Sequence, residues 1–83
     1  MRRRLRNLLL KLANGDDLYI SASPRITKAE IVEIEMLTGI LLQRESLYGV
    51  EPGFNPRMVY VTDAHKNQFR EVVDKLLHHS PKV

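Results

Sequence analysis

Apolar residues recur with helical spacing near both ends of the chain. Positions i, i+3, i+4 and i+7 of one helix face are apolar in each segment, which predicts a first and a last amphipathic helix. Asn14-Gly15 favours an end to the first helix, because both residues tolerate a left-handed backbone. Ser80-Pro81 ends the last. The residues that carry the two patterns are Leu5, Leu8, Leu9 and Leu12, and then Phe69, Val72, Val73, Leu76 and Leu77.

A third helix is predicted in the middle of the chain from its capping residues. Thr27 and Glu30 have the spacing of a capping box, in which each side chain accepts a hydrogen bond from the other residue's backbone N–H. Ile26 and Ile31 occupy the flanking apolar positions that accompany such a box. We therefore expect a helix that begins at Lys28 and is closed by Gly39.

Two further segments have strand character. Residues 18–23 alternate apolar and polar side chains before Pro24, and residues 57–61 are rich in β-forming types. The intervening residues 49–56 contain two prolines and two glycines, which predicts a loop. Residues 40–48 have no decisive period, so the sequence leaves a strand and a short helix open there.

These elements predict a single α+β domain over residues 1–83, with three helices and a two- or three-stranded antiparallel sheet. The order is α-β-α-(β or α)-β-α, followed by a short tail at residues 80–83. If residues 40–48 are helical, the order becomes that of a winged helix with an added C-terminal helix, and the loop is the wing. In that case Gly39 is the turn glycine of a helix-turn-helix, and a recognition helix follows it.

Composition excludes several classes of function. The chain has no cysteine, which excludes thiolate chemistry and fits a reducing, cytoplasmic location. No apolar run approaches the roughly 20 residues of a membrane span. The histidines near the C-terminus favour an exposed helix end over a metal site, with Asp74 and His78 as an ordinary i, i+4 pair. No catalytic or cofactor motif is present, so we expect a protein that is not an enzyme, with no metal and no cofactor.

Charge is strongly segregated along the sequence. The first 15 residues hold five Lys/Arg and no acid, whereas the other 68 hold eight Lys/Arg and ten Asp/Glu, a net of −2. Arginine binds phosphate bidentately, so a terminal cluster of this kind is typical of nucleic-acid binding. We expect phosphate contacts from this cluster, with secondary contacts near the ends of the loop, from Arg2, Arg3, Arg4, Arg6, Lys11, Arg44 and Arg57.

Two functions follow as hypotheses. The first is a small nucleic-acid-binding or regulatory protein that contacts DNA or RNA through its basic N-terminal helix. Residues 16–56 carry three Lys/Arg against seven acids, which disfavours DNA reading by the middle of the chain. The second is a protein-interaction module, either a homodimer or a small inhibitor or adaptor on a larger protein. The acids near Glu30 and the basic N-terminus would then pair between chains.

Overall fold

The computed structural model describes residues 1–46 and 57–78 of the chain. The predicted α+β fold is confirmed, with three helices and a three-stranded antiparallel sheet. The predictions for loop 49–56 and tail 80–83 lie outside the described residues. In chain order the elements are α1 (Arg3–Ala13), β1 (Leu18–Tyr19), α2 (Lys28–Thr38), β2 (Gln43–Ser46), β3 (Arg57–Tyr60), a 3₁₀ turn (Asp63–His65) and α3 (Lys66–His78).

The sheet has the order β1-β3-β2, and both neighbouring pairs are antiparallel. Leu18 and Arg44 lie opposite Val59 on either side of the central strand. Val59 and Leu18 are fully buried and belong to the same apolar cluster as the helices. Because side chains alternate along a strand, Arg57 lies on the same helix-facing side as Val59. The sheet therefore carries two arginines, Arg44 and Arg57, on the side that faces the helices.

Residues 43–46 form a strand, so the helical alternative for residues 40–48 is wrong, and with it the winged-helix order and the recognition helix. Every residue of β2 pairs with a residue of β3, from Gln43 opposite Tyr60 to Ser46 opposite Arg57. Just ahead of this strand, the backbone N–H of Leu42 donates to Glu35 Oε2 of α2 at 2.9 Å. Pairing with a segment distant in sequence decides the conformation here, where the local pattern does not.

Strand β1 is shorter than the alternation over residues 18–23 predicts. Only Leu18 and Tyr19 form the strand, and the chain then bends back on itself. The Tyr19 N–H donates to the Pro24 carbonyl and the Ile26 N–H donates to the Tyr19 carbonyl, both at 2.9 Å. This places Arg25 beside Tyr19 as a one-residue bridge. The segment between them, residues 20–24, becomes a surface loop.

The predicted start and end of α2 are confirmed. Thr27 Oγ1 accepts from the Glu30 N–H at 3.1 Å, and Glu30 Oε1 accepts from the Thr27 N–H at 2.9 Å. Gly39 closes the helix with a φ of +72°. In the part of the chain that the structure describes, no helix has the length and apolar content to cross a membrane.

The core lies between the helices and one face of the sheet. α1 contributes its four predicted leucines, all buried, and packs against both α2 and α3. The basic N-terminal helix is therefore built into the fold rather than attached to it. The largest fully buried side chains are Leu9, Leu12, Leu18, Ile26, Ile31, Ile34, Val59 and Phe69.

Candidate functional site

Two of the N-terminal arginines are engaged by acids of α2. Arg2 Nη2 lies 2.7 Å from Glu33 Oε1. Arg4 contacts both carboxylate oxygens of Glu30, with Nη2 donating to Oε1 at 2.9 Å, and the same nitrogen donates to the Arg25 carbonyl at 3.1 Å. The helix dipole disfavours cations at the start of α1, and these acids offset that effect. Arg2 and Arg4 thus join α1 to α2.

The Arg4 pair changes the titration of both groups. The hydrogen bond from the Arg4 guanidinium is the main cause that lowers the pKa of Glu30 to about 2, and the backbone N–H of Thr27 adds to it. Partial burial of the Glu30 carboxylate acts in the opposite direction. The same hydrogen bond raises the pKa of Arg4. Both side chains are therefore charged through the whole physiological pH range.

The other predicted cations of α1 have no such partner among the described residues. Arg3, Arg6 and Lys11 are exposed, and no carboxylate of residues 1–46 and 57–78 lies within 4 Å of them. Arg3, Asn7 and Lys11 follow each other at intervals of four and share one flank of the helix. With Pro24, Arg25 and their neighbours they line a groove of about 470 Å³. Arg6 lies outside that groove.

Two further depressions neighbour this groove on the surface, since each shares a lining residue with the next. Residues 20–23 and Arg25 line one of about 400 Å³, and Arg25 belongs to the first groove as well. Ile20 also lines the third, of about 310 Å³, which we call the pit. The pit is bounded by side chains from the loop, α2, β2 and β3: Ile20, Lys28, Ile31, Val32, Arg44 and Arg57.

Shared residues join the three depressions into one surface, which we call the basic track. Among the described residues that line it, none is Asp or Glu. Two acids outside the lining, Glu30 and Glu35, are paired with the track residues Arg4 and Arg44. The cations that line the track, besides the engaged Arg4, are Arg3, Lys11, Arg25, Lys28, Arg44 and Arg57.

The predicted site residues therefore separate into groups. Arg3 and Lys11 lie together in the groove, while Arg44 and Arg57 lie together in the pit. Sequence reasoning missed Arg25 and Lys28, because each is a single cation with no cluster around it. The turn back to Tyr19 brings Arg25 to the track, and the capping box sets Lys28 at the first position of α2. The capping box was the sequence signal that could have placed Lys28 at the start of α2.

A fourth depression, between α1 and α3, has a different character. Its volume is about 400 Å³, and it is lined by both signs of charge, among them Arg70, Glu71 and Asp74. Asp74 Oδ1 and His78 Nε2 lie 3.4 Å apart as the expected i, i+4 pair. Within residues 1–46 and 57–78, no three His, Asp or Glu side chains form a group suited to a metal ion.

Comparison with protein families, curated proteins and solved structures finds no match to this chain. The track presents cations from several parts of the chain with no acid in its lining, and such a surface attracts anions.

Proposed function

We propose that this protein binds nucleic acid along the basic track. The observation that carries the proposal is the acid-free lining of three neighbouring depressions, to which Arg25 and four elements, α1, α2, β2 and β3, contribute cations. Nucleic-acid affinity is dominated by phosphate contacts, and a row of Lys and Arg on one face is the electrostatic footprint of such binding.

Each cation has a role under this proposal. Arg3, Lys11 and Arg25 contact phosphates in the groove. Lys28, Arg44 and Arg57 contact phosphates at the pit. Arg2 and Arg4 act indirectly, because their bonds to Glu33 and Glu30 hold α1 against α2 and so position the groove. Arg6 adds to the positive potential from outside the track.

The test is fluorescence anisotropy of a labelled single strand of about 16 nucleotides, titrated with protein at about 50 mM and about 200 mM salt. If five phosphates are contacted, this rise in salt weakens binding about a hundredfold. Millimolar affinity at the lower salt concentration overturns the proposal, and so does an affinity that salt does not change.

A charge-matched pair of variants locates the contact. The triple variant R3Q/K11Q/R25Q removes three cations from the groove, whereas K66Q/R70Q/K75Q removes three from α3. We expect the first to weaken binding more than tenfold and to reduce the salt slope by about 2, and the second to do much less. Equal losses in both would assign the binding to net charge and reject the track.

A second candidate function rests on a separate observation, an apolar stripe on the outer face of α2. Val32 and Met36, one turn apart on α2, are 51% and 79% exposed, and Leu41, beyond the end of the helix, is 78% exposed. Large exposed apolar side chains that lie together favour a protein partner.

Pairing between the acids of α2 and a neighbour's N-terminus is not needed to explain the charge pattern, because Glu30, Glu33 and Glu35 each have an arginine in their own chain.

Sedimentation equilibrium tests the homodimer form of this candidate. A dimer in the wild type that dissociates in Met36→Glu would support self-association through the stripe. A monomer at high protein concentration would reject it and leave only a different protein as the partner.

A further inference from the structure

The pit combines apolar walls with three cations from three different elements. Ile20, Ile31 and Val32 supply aliphatic surface, and Val32 remains half exposed at the wall. Lys28 comes from α2, Arg44 from β2 and Arg57 from β3. A site for phosphate alone does not require aliphatic walls. The occupant that fits this lining has a flat, weakly polar part joined to an anion.

The size of the pit also restricts its occupant. Its volume of about 310 Å³ lies at the lower limit for small-molecule sites. It is suited to one ring system with the charged group beside it. Arginine guanidinium planes stack on nucleobases, and the same side chains bind phosphate. Two arginines beside an aliphatic wall therefore provide both contacts that one nucleotide needs.

The partner of Arg44 leaves that residue able to bind. Its Nη2 lies 3.4 Å from both carboxylate oxygens of Glu35, longer than a usual charge-assisted hydrogen bond of about 2.7–2.9 Å. Glu35 thus orients the guanidinium without using all of its donors. For Arg57 and Lys28, no carboxylate of the described residues lies within 4 Å.

We propose that the pit receives one unpaired base of a single-stranded nucleic acid, while Lys28, Arg44 and Arg57 bind the phosphates on either side of it. This inference rests on the proposed function and specifies its substrate. A base in a duplex is stacked and paired, and its removal from the helix costs free energy. The protein is therefore selective for single strands over duplexes.

Four labelled ligands of equal length test the proposal by anisotropy at about 50 mM salt: oligo-dT, oligo-rU, a duplex, and a strand with abasic spacers in place of all bases. The abasic strand keeps the phosphates and lacks the bases. We expect at least one of oligo-dT and oligo-rU to bind about tenfold more tightly than the abasic strand, in line with the contribution of a stacked base, and more tightly than the duplex. The comparison of dT with rU separates DNA from RNA.

Two glutamate variants on the same helix locate the base. Val32→Glu places a carboxylate at the wall of the pit, and Met36→Glu places one a turn further along, outside its lining. Both positions are exposed, so both variants should fold, which circular dichroism verifies. We expect V32E to abolish the preference for the strand with bases over the abasic strand, and M36E to retain it.

Arg57→Lys provides a third variant, which keeps the charge and removes the planar group. We expect it to reduce the base preference and to leave the salt slope unchanged. Equal, salt-dependent binding of oligo-dT, oligo-rU and the abasic strand would overturn the base site and leave the basic track intact. A loss of base preference in M36E as large as that in V32E would place the base elsewhere. Absence of binding to all four ligands would overturn both proposals.

Discussion

Glu30 accepts hydrogen bonds from two directions, the backbone N–H of Thr27 and the guanidinium of Arg4. The first contact closes the capping box at the start of α2, and the second joins α2 to α1. The spacing of Thr27 and Glu30 predicts the first contact. Only the packing of the two helices produces the second.

Two substitutions of Glu30 separate these contributions. Glu30→Gln keeps an oxygen that can accept from the Thr27 N–H but loses the ion pair, and we expect it to lower the free energy of unfolding by at most about 1 kcal/mol. Glu30→Ala loses both contacts, and we expect a decrease of about 1–2 kcal/mol. Urea denaturation measures both. Equal effects of Gln and Ala would show that the cap contributes nothing measurable.

The lowered pKa of Glu30 predicts that the free energy of unfolding depends on pH in the acid range. The pKa of Glu30 falls from an ordinary 4.5 to about 2 in the folded chain, so the unfolded chain binds the proton more readily. The stabilisation is therefore complete above pH 4.5 and is lost as the pH falls toward 2. We expect the difference in unfolding free energy between the wild type and E30Q to shrink across that window. Parallel curves for the two proteins would contradict the assignment, and Glu71→Gln on α3 serves as the control.

Tyr60, on the other face of the sheet, also has a shifted pKa. Its hydroxyl donates to Glu45 Oε2 at 3.0 Å, and this hydrogen bond is the main cause that raises the pKa of Tyr60. We expect Glu45→Gln to move that pKa back toward the ordinary value of about 10. The absorbance of tyrosinate, with Tyr60→Phe subtracted to remove the other tyrosines, measures the shift. An unchanged pKa in E45Q would assign it to other causes.

At the scale of elements, Gly39 ends α2 in a left-handed conformation, with a φ of +72°. A methyl group at this position would meet no atom of a more distant residue within 4 Å, so backbone strain is the main cost of a side chain. We expect Gly39→Ala to lower the free energy of unfolding by about 1–2 kcal/mol and Gly39→Asn by less, because Asn adopts this conformation more readily. Urea denaturation provides the comparison, and equal losses would argue against strain as the cause.

The three helices, the end of α1 and both ends of α2 were predictable because helical period and capping are local properties. The form of residues 43–46 was not, since it depends on pairing with β3, and β1 is shorter than predicted because residues 24–26 return to Tyr19. The candidate site likewise contains some residues whose positions were predictable and others whose positions were not. Arg3 and Lys11 share a flank by helical spacing alone. Arg25 reaches the track only through a turn in the chain, and nothing in the sequence pairs Arg4 with Glu30.

At the scale of the whole molecule, α1 supplies both the basic surface and a large part of the core. The surface formed by its basic N-terminal cluster is less positive than the sequence alone indicates, because Arg2 and Arg4 are paired with Glu33 and Glu30. Arg3 and Lys11 lie along one flank of α1, and Arg6 lies outside it. Folding thus brings two cations of the sequence cluster beside four from other parts of the chain: Arg25, Lys28, Arg44 and Arg57.

Neighbouring leucines of α1 test how far the fold depends on this helix. Leu9 is fully buried, whereas Leu10 is 41% exposed. We expect Leu9→Ala to lower the free energy of unfolding by about 2–5 kcal/mol and Leu10→Ala by about 0.5 kcal/mol. Thermal or urea denaturation of the two variants measures this difference in the free energy of unfolding. A small effect of L9A would mean that α1 is not integral to the core.

The contact between Glu35 and the Leu42 N–H affects how the molecule meets other chains. Among the described strands, β2 lies at an edge of the sheet, and edge strands invite pairing with strands from other molecules. A carboxylate already occupies the backbone donor just ahead of this edge, and Arg44 places a charged side chain along it. The bond that closes α2 onto the sheet therefore also leaves one backbone donor fewer for a strand from another molecule.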